Sequence, residues 1–512
     1  MVALSLVSAC VLIPLGVLVA RSLSASEGPA EGWRILGDQA FVGKPLTFAT
    51  TQALLSMLIG AAVGIPASFL LSQRGVPLQR LLSLLLLVPV GMPPVVTALG
   101  VREVVGEEVA ASAAIVIAHS LFAAGVMVWL VTPAWTVVDR RSTEAARVLG
   151  ASRWLAFWTL SWPQLRRQLR AALAVAFLGG FTALATVQIL GGSAEQTFES
   201  VIATASLDRS VTRAELAALA LAQLGVAAAV TVAGHATWRW PVARPLRRMR
   251  RAHVSMRLGA LLYLVPLASV GLIPLGAVIR AALLNDGAVD ADAFSRLLQS
   301  SVGGQSAREA IVWTLLYGFG SGTIATLLAW GVAAVPARWR RPSLVLLLAP
   351  FVMTPVVLAL TLREGVQQIW PDLDRAVALV FLAHTLLAFP IAWRVTQFPA
   401  TQSRRRLRET AQLLGDRPRI AMARWGDQRV VPALAAAICF AYALSAAEVG
   451  TAWLLAPDHA IPVGVALLES TAGNTSPGRP VFAMATILGL SAVLAFLFAE
   501  RFRRIAARAE VR

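Results

Sequence analysis

Long apolar runs, each about 20 residues long, dominate the alternation of hydrophobic and polar positions along the chain. A helix of that length crosses the hydrocarbon core of a bilayer, which is about 30 Å thick. Because backbone polar groups in lipid must find partners within the segment, the runs predict helices. They lie near residues 3–21, 47–72, 81–100, 111–133, 171–191, 214–236, 258–280, 309–335, 343–362, 376–398, 432–456 and 479–499. We therefore expect an all-α polytopic membrane protein with about twelve transmembrane helices.

The segments that connect these runs differ in charge. Those after the even-numbered runs are rich in Arg, and 237–257 alone contains seven, whereas another segment holds Glu103, Glu107 and Glu108. Positively charged connections usually stay in the cytoplasm, so both termini and all Arg-rich segments are expected there. This topology accounts for the net charge of +18. The bilayer is thus the expected surrounding, and no nucleic-acid partner is expected.

The two halves of the chain resemble each other at an offset of about 260–265 residues. Ile13-Pro14-Leu15-Gly16 returns as Ile273-Pro274-Leu275-Gly276, PVGMPPVVTALGVRE from Pro89 matches PFVMTPVVLALTLRE from Pro350, and His119 matches His384. Since six spans return the chain to the same side, the two copies should be parallel repeats. We expect a first six-helix repeat over 1–240, an Arg-rich cytoplasmic linker over 241–257 and a second six-helix repeat over 258–512.

The cytoplasmic segment after the fourth run reads EAARVLGASRWLAFWTLSWPQL from residue 144 to residue 165. Ser142 or Thr143 is a candidate N-cap for a helix, and Gly150 suits the left-handed position that ends one. Ser152 can cap a second short helix, which Pro163 is expected to limit. The apolar side chains of this helix-turn-helix could enter a groove on a partner or rest on lipid, and the pattern alone leaves both alternatives open.

These residues resemble the EAA motif of ABC importer permeases. The resemblance covers Glu144, Ala145 and Ala146, then Gly150 six residues after the Glu and Pro163 thirteen after the Gly. It implies a type I ABC importer permease fold, in which this loop docks on two copies of a cytoplasmic ATPase subunit. ATP and Mg would be bound by that partner, and this chain would bind no cofactor.

A second, weaker copy of the motif follows the tenth run. Glu409, Ala411 and Gly415 match, but Thr410 replaces an Ala and Gln428 stands where the motif has its Pro. The resemblance therefore implies two coupling loops that act unequally.

Over nearly its whole length the chain resembles the fused permease subunits of thiamine importers and, next, ferric-iron importers. The segments FTALATV from Phe181 and AAEVG from Ala446 favour the thiamine permeases. The resemblance implies a bacterial inner-membrane protein that translocates thiamine or its phosphates, delivered by an extracytoplasmic solute-binding protein. Ferric iron and a polyamine-like cation are the alternative substrates.

A carboxylate inside an apolar run is costly and marks a functional site, and Glu448 occupies such a position. One negative group on one side of a pathway suits a cationic solute, although the Glu could also be hydrated or bonded to a neighbouring helix. Trp453, which follows it, and the matched pair His119 and His384 are further candidates for the substrate pathway. The His residues could equally form hydrogen bonds between helices.

The sequence contains no P-loop, no zinc motif and no catalytic-triad spacing, so we expect neither an enzyme nor a metal site. An ion-coupled secondary transporter and a membrane enzyme remain the rival classes. The first would need several ionisable groups within the membrane, and the second a cluster of acids or His near one interface.

Overall fold

The computed structural model describes residues 2–24, 28, 30–106, 108–138, 140–192, 195–208, 210–235, 254–285, 288–333, 352–368, 370, 375–414, 429–471 and 477–508. The first half contains helices α1 (Val2–Ser22), α2 (Glu31–Arg34), α3 (Lys44–Leu71), α4 (Gln79–Leu85), α5 (Val88–Gly91), α6 (Pro94–Val105), α7 (Ala111–Val137), α8 (Arg140–Val148), α9 (Arg153–Ala156), α10 (Trp162–Phe181), α11 (Ala185–Gly191), α12 (Phe198–Ala205) and α13 (Arg213–His235). A 3₁₀ turn (Ile35–Gly37) and two π-helical turns (Gln39–Gly43 and Phe157–Ser161) lie between them.

The second half repeats much of this order. It contains helices α14 (Val254–Leu283), α15 (Asp292–Ser295), α16 (Ala307–Ala333), α17 (Pro355–Gln367), α18 (Val377–Leu414), α19 (Val430–Ala447), α20 (Gly450–Leu455), α21 (Val463–Thr471) and α22 (Arg479–Arg508), with 3₁₀ turns at Leu297–Gln299 and Asp458–Ala460. Two small antiparallel ladders join β1 (Leu284–Asn285) to β2 (Ala288–Val289) and β3 (Ser301–Val302) to β4 (Gln305–Ser306).

The described helices agree with the predicted pattern of spans. Eight are long and apolar enough to cross a membrane, and two bent helix pairs raise that number to ten. Of the other two predicted spans, the first appears as a shorter apolar helix, Val7–Ser22, and part of the ninth lies outside the described residues. The structure is therefore an all-α polytopic membrane fold. Most of the predicted linker 241–257 also lies outside the described residues, and α14 already begins at Val254.

Both bent pairs contain a short non-helical break. The α5 and α6 helices meet at an angle of 101°, where Met92 and Pro93 are extended. Pro93 and Pro94 account for this break, because they provide no N–H for a continuous helix. The other pair, α10 and α11, bends by 50° between Phe181 and Ala185.

The first long helix of each half packs against the other half. Gly100 of α6 lies against Pro274 of α14, so closely that a Cβ atom at Gly100 would come within 2.1 Å of the Pro274 carbonyl oxygen. Reciprocally, Gly365 of α17 lies against Pro14 of α1, at 3.2 Å from an ideal Cβ to the proline Cβ. The repeated Ile-Pro-Leu-Gly element thus forms equivalent contacts across the two halves.

A shared apolar core fills the space between the halves. Phe198 and Ile202 of α12 belong to the same buried cluster as Val356 of α17 and Leu454 of α20. This cluster surrounds the ends of the broken helices. The side chains of Glu199 and Glu448 therefore lie at the centre of the fold.

Candidate functional site

The predicted turn at Gly150 ends α8 as a Schellman motif. The N–H of Gly150 donates to the Arg147 carbonyl at 3.1 Å, and the N–H of Ala151 donates to the Ala146 carbonyl at 2.9 Å. Gly150 has a φ of +92°, in the left-handed region that L-residues with a Cβ avoid. The left-handed conformation predicted for this glycine is confirmed.

The two ends of the segment differ from the prediction. Because α8 already begins at Arg140, neither Ser142 nor Thr143 is its N-cap. Ser152 does cap α9, and its Oγ accepts the N–H of Leu155 at 3.1 Å. Pro163 does not limit a separate short helix, because it is the second residue of α10, which continues from α9. A π-helical turn joins α9 to α10, so one continuous helical path leads from the turn into the predicted fifth span.

The segment presents an open apolar surface, which we name the α8–α9 surface. Val148 and Leu149 are each 87% exposed, and Trp154 is 70% exposed. Trp154 and Trp158 pack edge to face with ring centroids 5.4 Å apart, which orders the aromatic part of the surface. Glu144 and Ala145 are exposed on α8, and Ala146 is half-buried. Exposed apolar groups of this kind are typical of a surface that binds another protein or a membrane, so both alternatives from the sequence remain.

The second predicted coupling loop is only partly described. Glu409 and Ala411 lie in the last part of α18, where the structure gives the helix but not the side chains. Gly415 lies outside the described residues, and so does Gln428. The predicted asymmetry between the two loops stays a prediction.

Glu448 lies at a break between helices and not inside one. α19 ends at Ala447, Glu448 is extended, and α20 begins at Gly450. The Glu448 carboxylate accepts the N–H of Thr451 at 3.1 Å and so caps the start of α20. Trp453, two residues after Thr451, is partly buried and packs against the shared apolar core.

A second buried carboxylate, which the sequence reasoning missed, belongs to Glu199 in α12. Its side chain is fully buried, and its Oε1 accepts the N–H of Val356 at 2.8 Å. The other carboxylate oxygen accepts the side-chain N–H of Gln223. The signal in the sequence is one acid in the otherwise uncharged stretch 197–207, but that signal does not indicate which helices surround it.

The matched His residues connect helices within their own halves. Nδ1 of His119 lies 2.8 Å from Oε1 of Gln52, whose amide N–H donates to the Gly180 carbonyl at 2.7 Å. In the second half, Nδ1 of His384 lies 2.6 Å from Oγ of Ser445. These contacts favour the interhelical alternative, and a role in the substrate pathway stays a prediction.

An ion pair orders the connection after α14, on the side predicted to face away from the cytoplasm. Arg479 donates to the Asp290 carboxylate at 2.7 Å and to the Asp290 and Ala282 carbonyls. Chiefly because of the hydrogen bond from Arg479, the pKa of Asp290 is lowered from its ordinary value. Within the described part of the chain, no group of three or more His, Cys, Asp or Glu side chains is arranged to hold a metal ion.

Comparison with known proteins supports a permease. Residues 60–236 match the family described as "Binding-protein-dependent transport system inner membrane component". The thiamine transport system permease protein of Brucella abortus (strain 2308) is 23% identical, over 95% of this chain and 92% of the relative. The corresponding protein of Escherichia coli (strain K12) is 27% identical, over 43% of this chain and 44% of the relative.

The matched range includes the α8–α9 surface, the break before α11 and Glu199. The matched family and relatives are transport permeases and not enzymes, as the sequence led us to expect. The chain is therefore a multi-pass membrane protein whose residues 60–236 are similar to the binding-protein-dependent transport family, and nearly its whole length is similar to thiamine permeases.

Proposed function

We propose that this chain is the permease subunit of an ATP-driven importer that translocates thiamine or its phosphates. The observation that carries the proposal is the exposed α8–α9 surface within the permease domain, together with similarity to thiamine permeases over 95% of the chain. Two copies of an ABC ATPase subunit would dock on the cytoplasmic side and bind ATP and Mg. A solute-binding protein would deliver the substrate from the other side, and both termini would be cytoplasmic.

The connection between α9 and α10 suggests how the ATPases act on the membrane part. The α8–α9 surface is held by the Gly150 turn, and α9 continues through a π-helical turn into α10. A movement of the docked ATPase would therefore displace α10, which ends at the break before α11. That break lies beside the shared core of the two halves, where Leu184 belongs to the same buried cluster as Val356. Closure of the ATPases would thus be transmitted to the interface between the halves.

Reconstitution in proteoliposomes with the ATPase subunit and the binding protein tests the proposal. Thiamine should stimulate ATP hydrolysis and enter the vesicles, whereas ferric iron and polyamines should do neither. If ferric iron or a polyamine stimulated ATP hydrolysis instead, that cation would be the substrate and thiamine would not. Uptake driven by an ion gradient without the ATPase would instead indicate a secondary transporter.

The two coupling loops provide a matched pair of variants. The first loop has the complete motif, so Glu144→Lys should uncouple ATP hydrolysis from uptake more severely than Glu409→Lys. Both substitutions reverse one charge on a helix. Equal loss of substrate transported per ATP hydrolysed in the two variants would refute the asymmetry.

A further inference from the structure

The two buried carboxylates come from different halves and meet at one helix start. Glu199 of the first half binds the backbone N–H of Val356, in the first turn of α17. Glu448 of the second half lies beside Gly450, where an added Cβ would meet Val356 Cγ2 at 3.2 Å and Glu448 Oε1 at 3.4 Å. Both carboxylates therefore border Val356. The start of α17 thus brings together two acids separated by about 250 residues of sequence.

The donors around this pair are neutral. Glu199 accepts from the Val356 N–H and the Gln223 amide, and Glu448 accepts from the Thr451 N–H. Among the residues that the structure describes, neither carboxylate forms an ion pair with Arg, Lys or His. A buried carboxylate without a basic partner is costly, and two near each other are more so. The site therefore lacks a positive charge that would compensate its acids.

Two further polar atoms beside the pair have no hydrogen-bond partner among the residues that the structure describes. They are Oε1 of Gln223 and Oγ1 of Thr451, and both residues are fully buried. Both residues already touch the pair, since the Gln223 amide binds Glu199 and the Thr451 backbone binds Glu448. Buried polar atoms are nearly always bonded, so these two leave hydrogen-bonding capacity beside the carboxylates for a further polar group.

We propose that Glu199 and Glu448 together form the binding site for an organic cation on the substrate pathway between the two halves. The surroundings favour an organic cation over a small metal ion. Val356, Val449 and Leu454 supply apolar surface, whereas Ca²⁺ and Mg²⁺ require a shell of oxygen ligands. The ring cation of thiamine, which carries a permanent positive charge on an aromatic ring, is of this class. The inference rests on the proposed function.

The site is closed in this structure. Glu199 is fully buried, and its hydrogen bond to Val356 joins the first half to the second. An entering cation would therefore have to coincide with a separation of α12 from α17. Its attraction to the two carboxylates would compensate for the hydrogen bond lost between the halves.

Transport of a charged and an uncharged ligand by matched variants tests the proposal. Glu199→Gln and Glu448→Gln keep the size of each side chain and one acceptor oxygen, but remove its charge. In proteoliposomes with both partners, we expect each to lower the ratio of thiamine uptake to uptake of a neutral-ring isostere by about tenfold or more. Glu364→Gln is the control, because Glu364 is a buried acid of the same α17 that pairs with Arg21 at 3.4 Å. It should leave the ratio unchanged.

A charge-retaining variant separates cation binding from helix capping. Glu199→Asp keeps the negative charge but is too short to hold the Val356 N–H in the same way. If the charge binds the substrate, Glu199→Asp should retain the preference for thiamine. If the carboxylate only caps α17, Glu199→Gln should behave like the parent and Glu199→Asp should be the impaired variant, and the proposal is then wrong.

Chemical labelling provides a readout that does not depend on transport. A hydrophobic carbodiimide reacts with buried carboxylic acids, and mass spectrometry of the purified permease locates the modified residues. Thiamine should reduce labelling of Glu199 and Glu448, and its neutral isostere should not. Equal protection by both ligands, or protection by neither, would overturn the cation site. Protection by thiamine without ATP-driven uptake would instead contradict the proposed function and leave the site supported.

Discussion

The turn that ends α8 allows a quantitative prediction for Gly150. Its φ of +92° lies in the left-handed region, and no atom lies within 4 Å of the position that a Cβ would take. A substitution therefore changes the backbone energy of the turn without a steric clash. The substitutions Gly150→Asn, Gly150→Ala and Gly150→Val form a series of increasing backbone cost. Asn tolerates the left-handed conformation, Ala avoids it and branched Val avoids it most.

The expected magnitude follows from the conformation. A left-handed backbone costs an L-residue with a Cβ roughly 1–2 kcal/mol. That energy shifts the equilibrium between the closed and the opened turn by about 5–30-fold. Opening the turn releases the bonds from Gly150 and Ala151 and moves Leu149 relative to Trp154 on the docking surface. We expect Ala to weaken the affinity for the ATPase by about 5–30-fold, Val by more and Asn by only a few-fold.

The affinity is measured by titrating the purified ATPase subunit against each reconstituted variant. Substrate transported per ATP hydrolysed is recorded in the same vesicles and should fall in the same order. Gly225→Ala is the control, since Gly225 lies in α13 with open space around its Cβ position and no left-handed backbone. An Asn variant as weak as the Ala variant, or an Ala variant equal to the parent, would refute the role of the left-handed turn.

Two further predictions concern the contacts between the halves and the connection after α14. Gly100→Ala forces its Cβ against the Pro274 carbonyl, so the overpacking cost of about 1–3 kcal/mol should exceed the helix-propensity gain of about 1 kcal/mol. Gly276→Ala is the control, because the position of its Cβ is in open space. In thermal unfolding in detergent, the melting temperature of Gly276→Ala should lie above that of the parent, and that of Gly100→Ala below it. Arg479→Gln removes the bond that lowers the pKa of Asp290 from the ordinary value of 3.8. Relative to the parent, this variant should lose the same free energy of unfolding at every pH above about 5. The difference should shrink at lower pH, because acid protonates Asp290 in the parent, and unfolding measured over a range of pH checks this.

The positions of the helices follow largely from apolar run length. Each described long helix overlaps a predicted run, and the repeat correctly placed Pro14 and Pro274 in corresponding helices. The sharp bend at Pro93 and Pro94 also has a local cause, because a missing N–H interrupts its own helix. The break at Glu448 was not predicted, since no helix-breaking residue precedes it and its capping bond to Thr451 forms only in the folded chain.

The site was predictable only where local backbone geometry determines it. Gly150 was identified because its left-handed turn needs a glycine, whereas Ser142 and Thr143 were wrongly chosen as caps because α8 starts earlier. Glu199 escaped notice since its donor, Val356, is 157 residues away in sequence. Local patterns carry information about turns, but a bond across the two halves depends on how whole helices pack.

The reciprocal packing of Pro14 on Gly365 and Pro274 on Gly100 has a consequence for how the protein moves. The duplicated sequence units would not separate cleanly, because α1 packs on α17 of the second half as well as on α13 of its own, and α14 packs on α6 of the first half. Two wings that part during a transport cycle would each be a mixture of both copies. In a fused chain, the two copies are present in a fixed one-to-one ratio and their first helices are already exchanged. Two separate six-helix subunits would have to assemble and exchange their first helices to reach the same arrangement.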